Sequence, residues 1–134
     1  MSLHRLIYTS RPFGFDSGTL NSILVHAQQA NPRVGITGAL ICREDVYLQL
    51  LEGPEDAIRK TLDRIRRDDR HLEVTVHVDK PVSERMFAKW AMLHDPAATW
   101  IWSRAEVTDD AVERTTEAEV EGFFQKLSDS KNAT

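Results

Sequence analysis

Two apolar stretches, "VGITGALIC" and "VYLQLLEG", lie back to back in the middle of the chain with a short polar turn around "REDV" between them. Their length and composition read as two antiparallel strands of a hairpin. An isolated hairpin is marginal in water, so this pair needs further strands beside it and other layers to cover it. Upstream, His4 to Ser10 alternates, with Leu6 and Tyr8 on one face and Leu3, Arg5 and Ile7 on the other, as a strand covered on both sides would.

The segments between these strands repeat at helical spacing. After the loop "RPFGFDSG", Leu20, Ile23, Leu24, Ala27 and Asn31 form one stripe, and Pro32 is expected to stop the helix. Asn31 therefore lies on the buried side. Gly53-Pro54 suits a helix start with proline at its first position, and Ile58, Leu62 and Ile65 supply the second stripe before "RRDDRH" ends it. "LEVTVHVDKPV" then reads as a strand and "FAKWAML" as a short one at the sheet's edge or end. The order β-α-β-β-α-β-β is a ferredoxin-like α+β unit with an extra strand, which puts both helices on one sheet face. A further stripe, Val112, Thr116, Val120, Phe123, Phe124 and Leu127, predicts a C-terminal helical extension, with Thr116 and Glu119 placed as a capping box and the sheet's other face as its target. The expected division is a domain over residues 1–95 and the extension over 96–134.

Composition removes several classes of function. The 134 residues carry 17 basic and 21 acidic side chains, a net charge of −4, which is not the footprint of a phosphate-backbone binder. Direct contact with nucleic acid is not expected. The five histidines, His4, His26, His71, His77 and His94, fall in neither HExxH nor any Cys/His zinc spacing, so no metal is expected. A single cysteine, Cys42, excludes an internal disulfide and fits a reducing cytoplasm. No run reaches membrane-spanning length, and "MSLHRLIYTS" alternates where a signal peptide would be continuously apolar. Walker, GxSxG and GxGxxG signatures are absent, and "GITG" at Gly35 to Gly38 is too short to assign alone.

Against this background Gln49 stands out, a primary amide among Val46, Tyr47, Leu48, Leu50 and Leu51. A buried polar group without a partner costs about 1–3 kcal/mol. Strand alternation puts Tyr47, Gln49 and Leu51 on one face, as it does Leu6, Tyr8 and Ser10, and Trp90 with Met92. If these faces meet the helices, Tyr8, Gln49, Asn31 and one of Trp90 or Met92 converge. A phenol, two amides and an indole can line a flat heteroaromatic with carbonyls and ring nitrogens at its edge. Each residue alone has an ordinary reading: a strand glutamine bonded to backbone, a strand tyrosine, a helix-ending asparagine, a basic helix end at Arg70 and His71, core filling by Trp90 and Met92.

Together, "RLIYTS", "N…GITGALI", "YLQLLEGP", "DDRH" and "RMFAKWAM" resemble, in order and spacing, the BLUF domains, blue-light sensors using FAD. The resemblance covers Leu3 to Leu93. It implies that the flavin ring lies between the two helices and that Gln49 is satisfied by Tyr8 and the flavin edge. Light then moves an electron and a proton from Tyr8 to the flavin, and recombination leaves the Gln49 amide in a changed orientation or tautomer. By the same resemblance Asn31 meets the pyrimidine edge, Arg70 a ring carbonyl, His71 flanks the ring, and Trp90 and Met92 are the pair that exchange places beside the glutamine.

The segment after Leu93 is too short for a cyclase or phosphodiesterase, so the chain reads as a non-enzymatic, stand-alone sensor signalling by contact to a separate protein. The adjacent Phe123 and Phe124, with Trp100 and Trp102, predict surface shared with another copy, hence a homo-oligomer. Two rival classes are a flavin-free ferredoxin-like interaction module and an acylphosphatase-like hydrolase in which Asn31 and Arg33 hold an oxyanion.

Overall fold

The computed structural model describes residues 3–11, 25, 27–43, 46–67, 72–87, 93–95 and 116–132. Among the described residues five strands form one sheet: β1 (Leu3–Arg11), β2 (Thr37–Arg43), β3 (Val46–Pro54), β4 (Leu72–Val82) and β5 (Leu93–Asp95). Their spatial order is β4-β1-β3-β2-β5. β1 pairs antiparallel with β3 and β4, β2 pairs antiparallel with β3, and β5 joins β2 in parallel at the edge. This is the expected ferredoxin-like α+β sheet with one added strand. The hairpin holds too, since Arg43 pairs with Val46 across a two-residue connection.

The two central strands, β1 and β3, are covered on both sides, and their alternation sorts side chains into two cores. Leu6, Tyr8, Leu40, Tyr47 and Leu51 share a cluster with Ile36, with Ala27 of the helical segment at residues 27–30 (α1), and with Ile58, Leu62 and Ile65 of α2 (Glu55–Arg67). Ile7, Ala39, Leu48, Leu50 and Val78 share the opposite one with Phe87 and with Val120, Phe124 and Leu127 of α3 (Glu117–Asn132). Both helices of the βαβ units therefore lie on one face and α3 covers the other. Full burial is worth roughly 1.5–3 kcal/mol for each large apolar side chain, so Val120, Phe124 and Leu127 anchor α3 firmly. Phe87 and Phe124 meet edge to face at 6.0 Å and 86°.

The "GITG" motif has two separate explanations. Gly35 has φ +75°, the left-handed conformation that ends the preceding turn, and its N–H faces the Asn31 and Pro32 carbonyls. Gly38 lies where β2 and β3 approach closely, and a Cβ there would fall 2.0 Å from the Leu50 carbonyl oxygen. The capping box of α3 is also present. Glu119 N–H donates to Thr116 Oγ1 at 3.2 Å, and Thr116 N–H donates back to Glu119 Oε1 at 3.1 Å.

Four expectations need correction. Pro32 does not simply end α1, because the chain tightens into a 3-10 turn over Asn31–Val34 with proline in its first turn. Pro54 closes β3 and α2 begins after it, at Glu55. The strand expected over "FAKWAML" does not begin at Phe87, which sits in a bend and packs under α3; residues 88–92 lie outside the described residues, and Leu93 opens the edge strand β5. Thr116 caps α3 and is not part of its buried stripe, which begins at Val120; Val112 lies outside the described residues.

Candidate functional site

Tyr8 and Gln49 are paired across the β1–β3 ladder, and Leu40 faces Gln49 from the other side on β2. Directly opposed residues of an antiparallel pair project to the same face. Both side chains therefore enter the layer between the sheet and α1/α2, Tyr8 with no exposure and Gln49 at 4%. Asn31, 2% exposed, follows Ala27 of that layer by one helical turn, and its carbonyl is held by the Ile36 N–H at 2.9 Å. A phenol and two amides thus end buried on the helix-facing side of the sheet. Such a set can both donate to and accept from a polar ring edge.

β4 adds an irregularity beside Tyr8. Ile7 pairs with Val78 but Tyr8 pairs with Val76, so the ladder skips His77, a bulge that re-aims the strand. The His77 Nε2 lies 3.0 Å from Thr9 Oγ1. Val74 and Val76 consequently pack toward α2 while Val78 joins the core under α3.

The remaining predicted positions divide clearly. Arg70, His71, Trp90 and Met92 lie outside the described residues. Arg33 shares the 3-10 turn with Asn31 but is exposed where Asn31 is buried, so the two do not converge as an oxyanion site requires.

Two charged clusters went unread in the sequence. Glu52 is fully buried on the α3 side of β3, where it accepts Arg5 Nε–H at 2.9 Å and the Met86 and Phe87 amides at 2.7 and 3.1 Å. Arg5 also donates to Glu121 of α3 at 2.8 Å, and Lys80 reaches Glu121 at 2.8 Å and Glu117 at 2.9 Å. Burial pushes the Glu121 carboxyl up, but the hydrogen bonds from Lys80 and Arg5 outweigh it and hold it below the usual range. On the helix side, Asp79 joins Arg59 of α2 to His4, and the Arg59 hydrogen bond leads in lowering its pKa. The only early signal was the equal parity of Arg5 and Ile7 on β1; the partner strand's register was needed to place Glu52 opposite Arg5.

Residues 3–93 match the family described as BLUF, sensors of blue light using FAD. The chain belongs to the BLUF family. It is 26% identical to BlrB, a BLUF protein whose dark-state structure superposes with a TM-score of 0.78 over 96% of this chain and 97% of that one. It is 36% identical over 74 residues to photoactivated adenylate cyclase subunit beta of Euglena gracilis and 39% identical over 75 residues to that of Euglena longa. Those matches take in 54% of this chain and 9% of the length of either relative. The BLUF domain is a sensor of blue light, and FAD is its cofactor. The buried donor and acceptor set of Tyr8, Gln49 and Asn31 fits the heteroatom-rich edge of a flavin. No helix among the described residues is long and apolar enough to cross a membrane.

Proposed function

We propose that the chain senses blue light through Tyr8 and Gln49 and passes the signal by contact to a separate protein. The observation that supports it is the cross-strand pairing of these two residues on the buried, helix-facing side of the sheet. FAD held in that layer would supply the light absorption and the one-electron chemistry. Tyr8 would give up an electron and a proton from its phenol. The Gln49 amide, with hydrogen-bonding groups of both kinds, takes up a changed orientation or tautomer when they return, so its bonds to Tyr8 and to the cofactor are rewired. In this reading Asn31 would hold the pyrimidine edge, Arg70 and His71 would serve the ring, and Trp90 or Met92 would act on the amide.

Residues 1–95 form the sensing domain in this reading, and 96–134 carry the output. Trp90 and Met92 immediately precede β5 in the sequence, and in this reading they relay the change at Gln49 to what packs on the far face. The partner is a protein, self-association involves the C-terminal segment, and the setting is cytoplasmic. An absorption spectrum taken before and after blue illumination tests the whole reading. Bound flavin whose absorption shifts slightly to the red and recovers in darkness is expected, and bound flavin with an unchanged spectrum would overturn it.

A further inference from the structure

The bend at residues 84–87 touches three parts of the fold that are otherwise far apart in sequence. The guanidinium of Arg85 donates to the Gly35 carbonyl at 2.7 Å, to Thr37 Oγ1 at 2.8 Å and to the Glu52 carbonyl at 3.0 Å. The next two amides, of Met86 and Phe87, are taken by the buried Glu52 carboxylate. On the other side the Met86 carbonyl accepts Ser128 Oγ–H of α3 at 3.1 Å, and the Phe87 ring packs on Phe124 of the same helix. Three consecutive residues, Arg85, Met86 and Phe87, thus bridge the turn that carries Asn31, the strand that carries Gln49, and α3.

Gly35 is the joint on the Asn31 side. Its left-handed backbone closes the 3-10 turn, its N–H faces the carbonyls of Asn31 and Pro32, and its own carbonyl is the Arg85 acceptor. A shift of Asn31 therefore moves the group that Arg85 holds. A guanidinium has a planar fork of donors in fixed geometry, able to grip acceptors on two strand ends at once; an ammonium on a flexible stem offers a single point. All three acceptors of Arg85 are neutral oxygens, which suits a role in setting geometry.

We propose that Arg85 is a positioning residue that fixes the Asn31 turn against the cofactor, and that the 84–87 bend carries movement of this turn to α3 by a route separate from Trp90 and Met92. This rests on the photoreceptor reading above and adds a second path from the pyrimidine edge to the far face. It also accounts for a bend whose backbone and side chain are both held by the β2–β3 end while its carbonyl and ring contact α3.

The test compares the wild-type chain loaded with FAD against Arg85→Gln, Arg85→Lys and Ser128→Ala. The readouts are the light-induced red shift, the dark-recovery lifetime, and the light-minus-dark difference in hydrogen exchange over residues 117–132. Wild type is expected to red-shift and to show a light-dependent difference in α3. Both Arg85 variants should still red-shift, with a lifetime changed several-fold and an α3 difference reduced several-fold. Ser128→Ala should lose much of the α3 difference at the helix end of the route. A merely structural role would lower protection equally in light and darkness and leave the difference and lifetime as in wild type, and that result overturns the proposal. So does a wild type that red-shifts with no light-dependent difference in α3. A wild type that binds FAD without any red shift instead removes the photoreceptor reading beneath it. If Arg85→Gln does not fold, Arg85→Lys carries the same two outcomes.

Discussion

Tyr8 and Gln49 face each other across β1 and β3 on the side of the sheet that packs against α1 and α2. A directly opposed pair needs no intervening residue to exchange a hydrogen bond, and the rigid central strands hold the phenol and amide in register. Switching should therefore be sensitive to loss of either polar group and binding much less so. Tyr8→Phe, which keeps the ring and removes the hydroxyl, and Gln49→Leu are each expected to retain FAD and lose the reversible red shift. Difference absorption spectra under blue light check both, and a normal photocycle in either variant contradicts the assigned roles.

Gly38 should tolerate no side chain. A Cβ at that position meets the Leu50 carbonyl oxygen at 2.0 Å and the Leu51 Cα at 3.4 Å, both backbone atoms of the neighbouring central strand. The strands would have to separate beside Gln49. Gly38→Ala is expected to cost about 1–3 kcal/mol or more, as overpacking of a core does. Urea denaturation read by circular dichroism measures it, and a midpoint equal to wild type would show that β2 can move away freely.

Glu52 is expected to be the most costly charged side chain to remove. Its carboxylate is fully buried and serves the Arg5 guanidinium and two backbone amides. Deleting one partner of a buried pair typically costs about 3–5 kcal/mol, because the other partner is left uncompensated. Glu52→Ala should lose stability on that scale. Glu52→Gln should lose less, since an amide oxygen can still accept from the Met86 and Phe87 amides. The two denaturation midpoints, compared in one buffer, decide it.

Acid should weaken the attachment of α3 and the Asp79 cluster. Glu121 and Asp79 both have folded-state pKa values below their ordinary ones, the first through Lys80 and Arg5 against the opposing effect of burial, the second chiefly through Arg59. A depressed carboxyl pKa means that the unfolded chain binds the proton more readily. Its contribution to stability is present above the unfolded pKa, about 4 for these groups, and is lost as pH falls through the lower folded value. Lys80 has the opposite sign, since its raised pKa gives stability that persists below the unfolded value and is lost only in strong alkali. Thermal unfolding from pH 6 to pH 3 should show stability falling below about pH 4. Glu121→Gln should flatten that fall.

Much of the architecture is decided locally and was legible as such. Alternation along "LIYTS" and "VYLQLLEG" assigns Tyr8 and Gln49 to their faces, because side-chain direction along a strand depends only on the parity of position. Helical spacing does the same for Ile58, Leu62 and Ile65, and a hydroxyl three residues before a glutamate is enough to mark the start of α3. Resemblance in spacing then linked Tyr8, Asn31 and Gln49 to one cofactor.

What only the tertiary structure decided depends on which strand lies beside which, and in what register. Val74, Val76 and Val78 have equal parity and should share a face, yet the bulge at His77 sends Val78 to the opposite core. The buried Glu52 reads as a helix-proximal surface acid until Arg5 is seen opposite it and the 86–87 amides above it. Arg85 shows no local reason to matter, because its acceptors lie 33 to 50 residues away. Short-range periodicity carries no information about such partners, whose positions follow from strand order, one skipped residue and the closure of the sheet between its two helical layers.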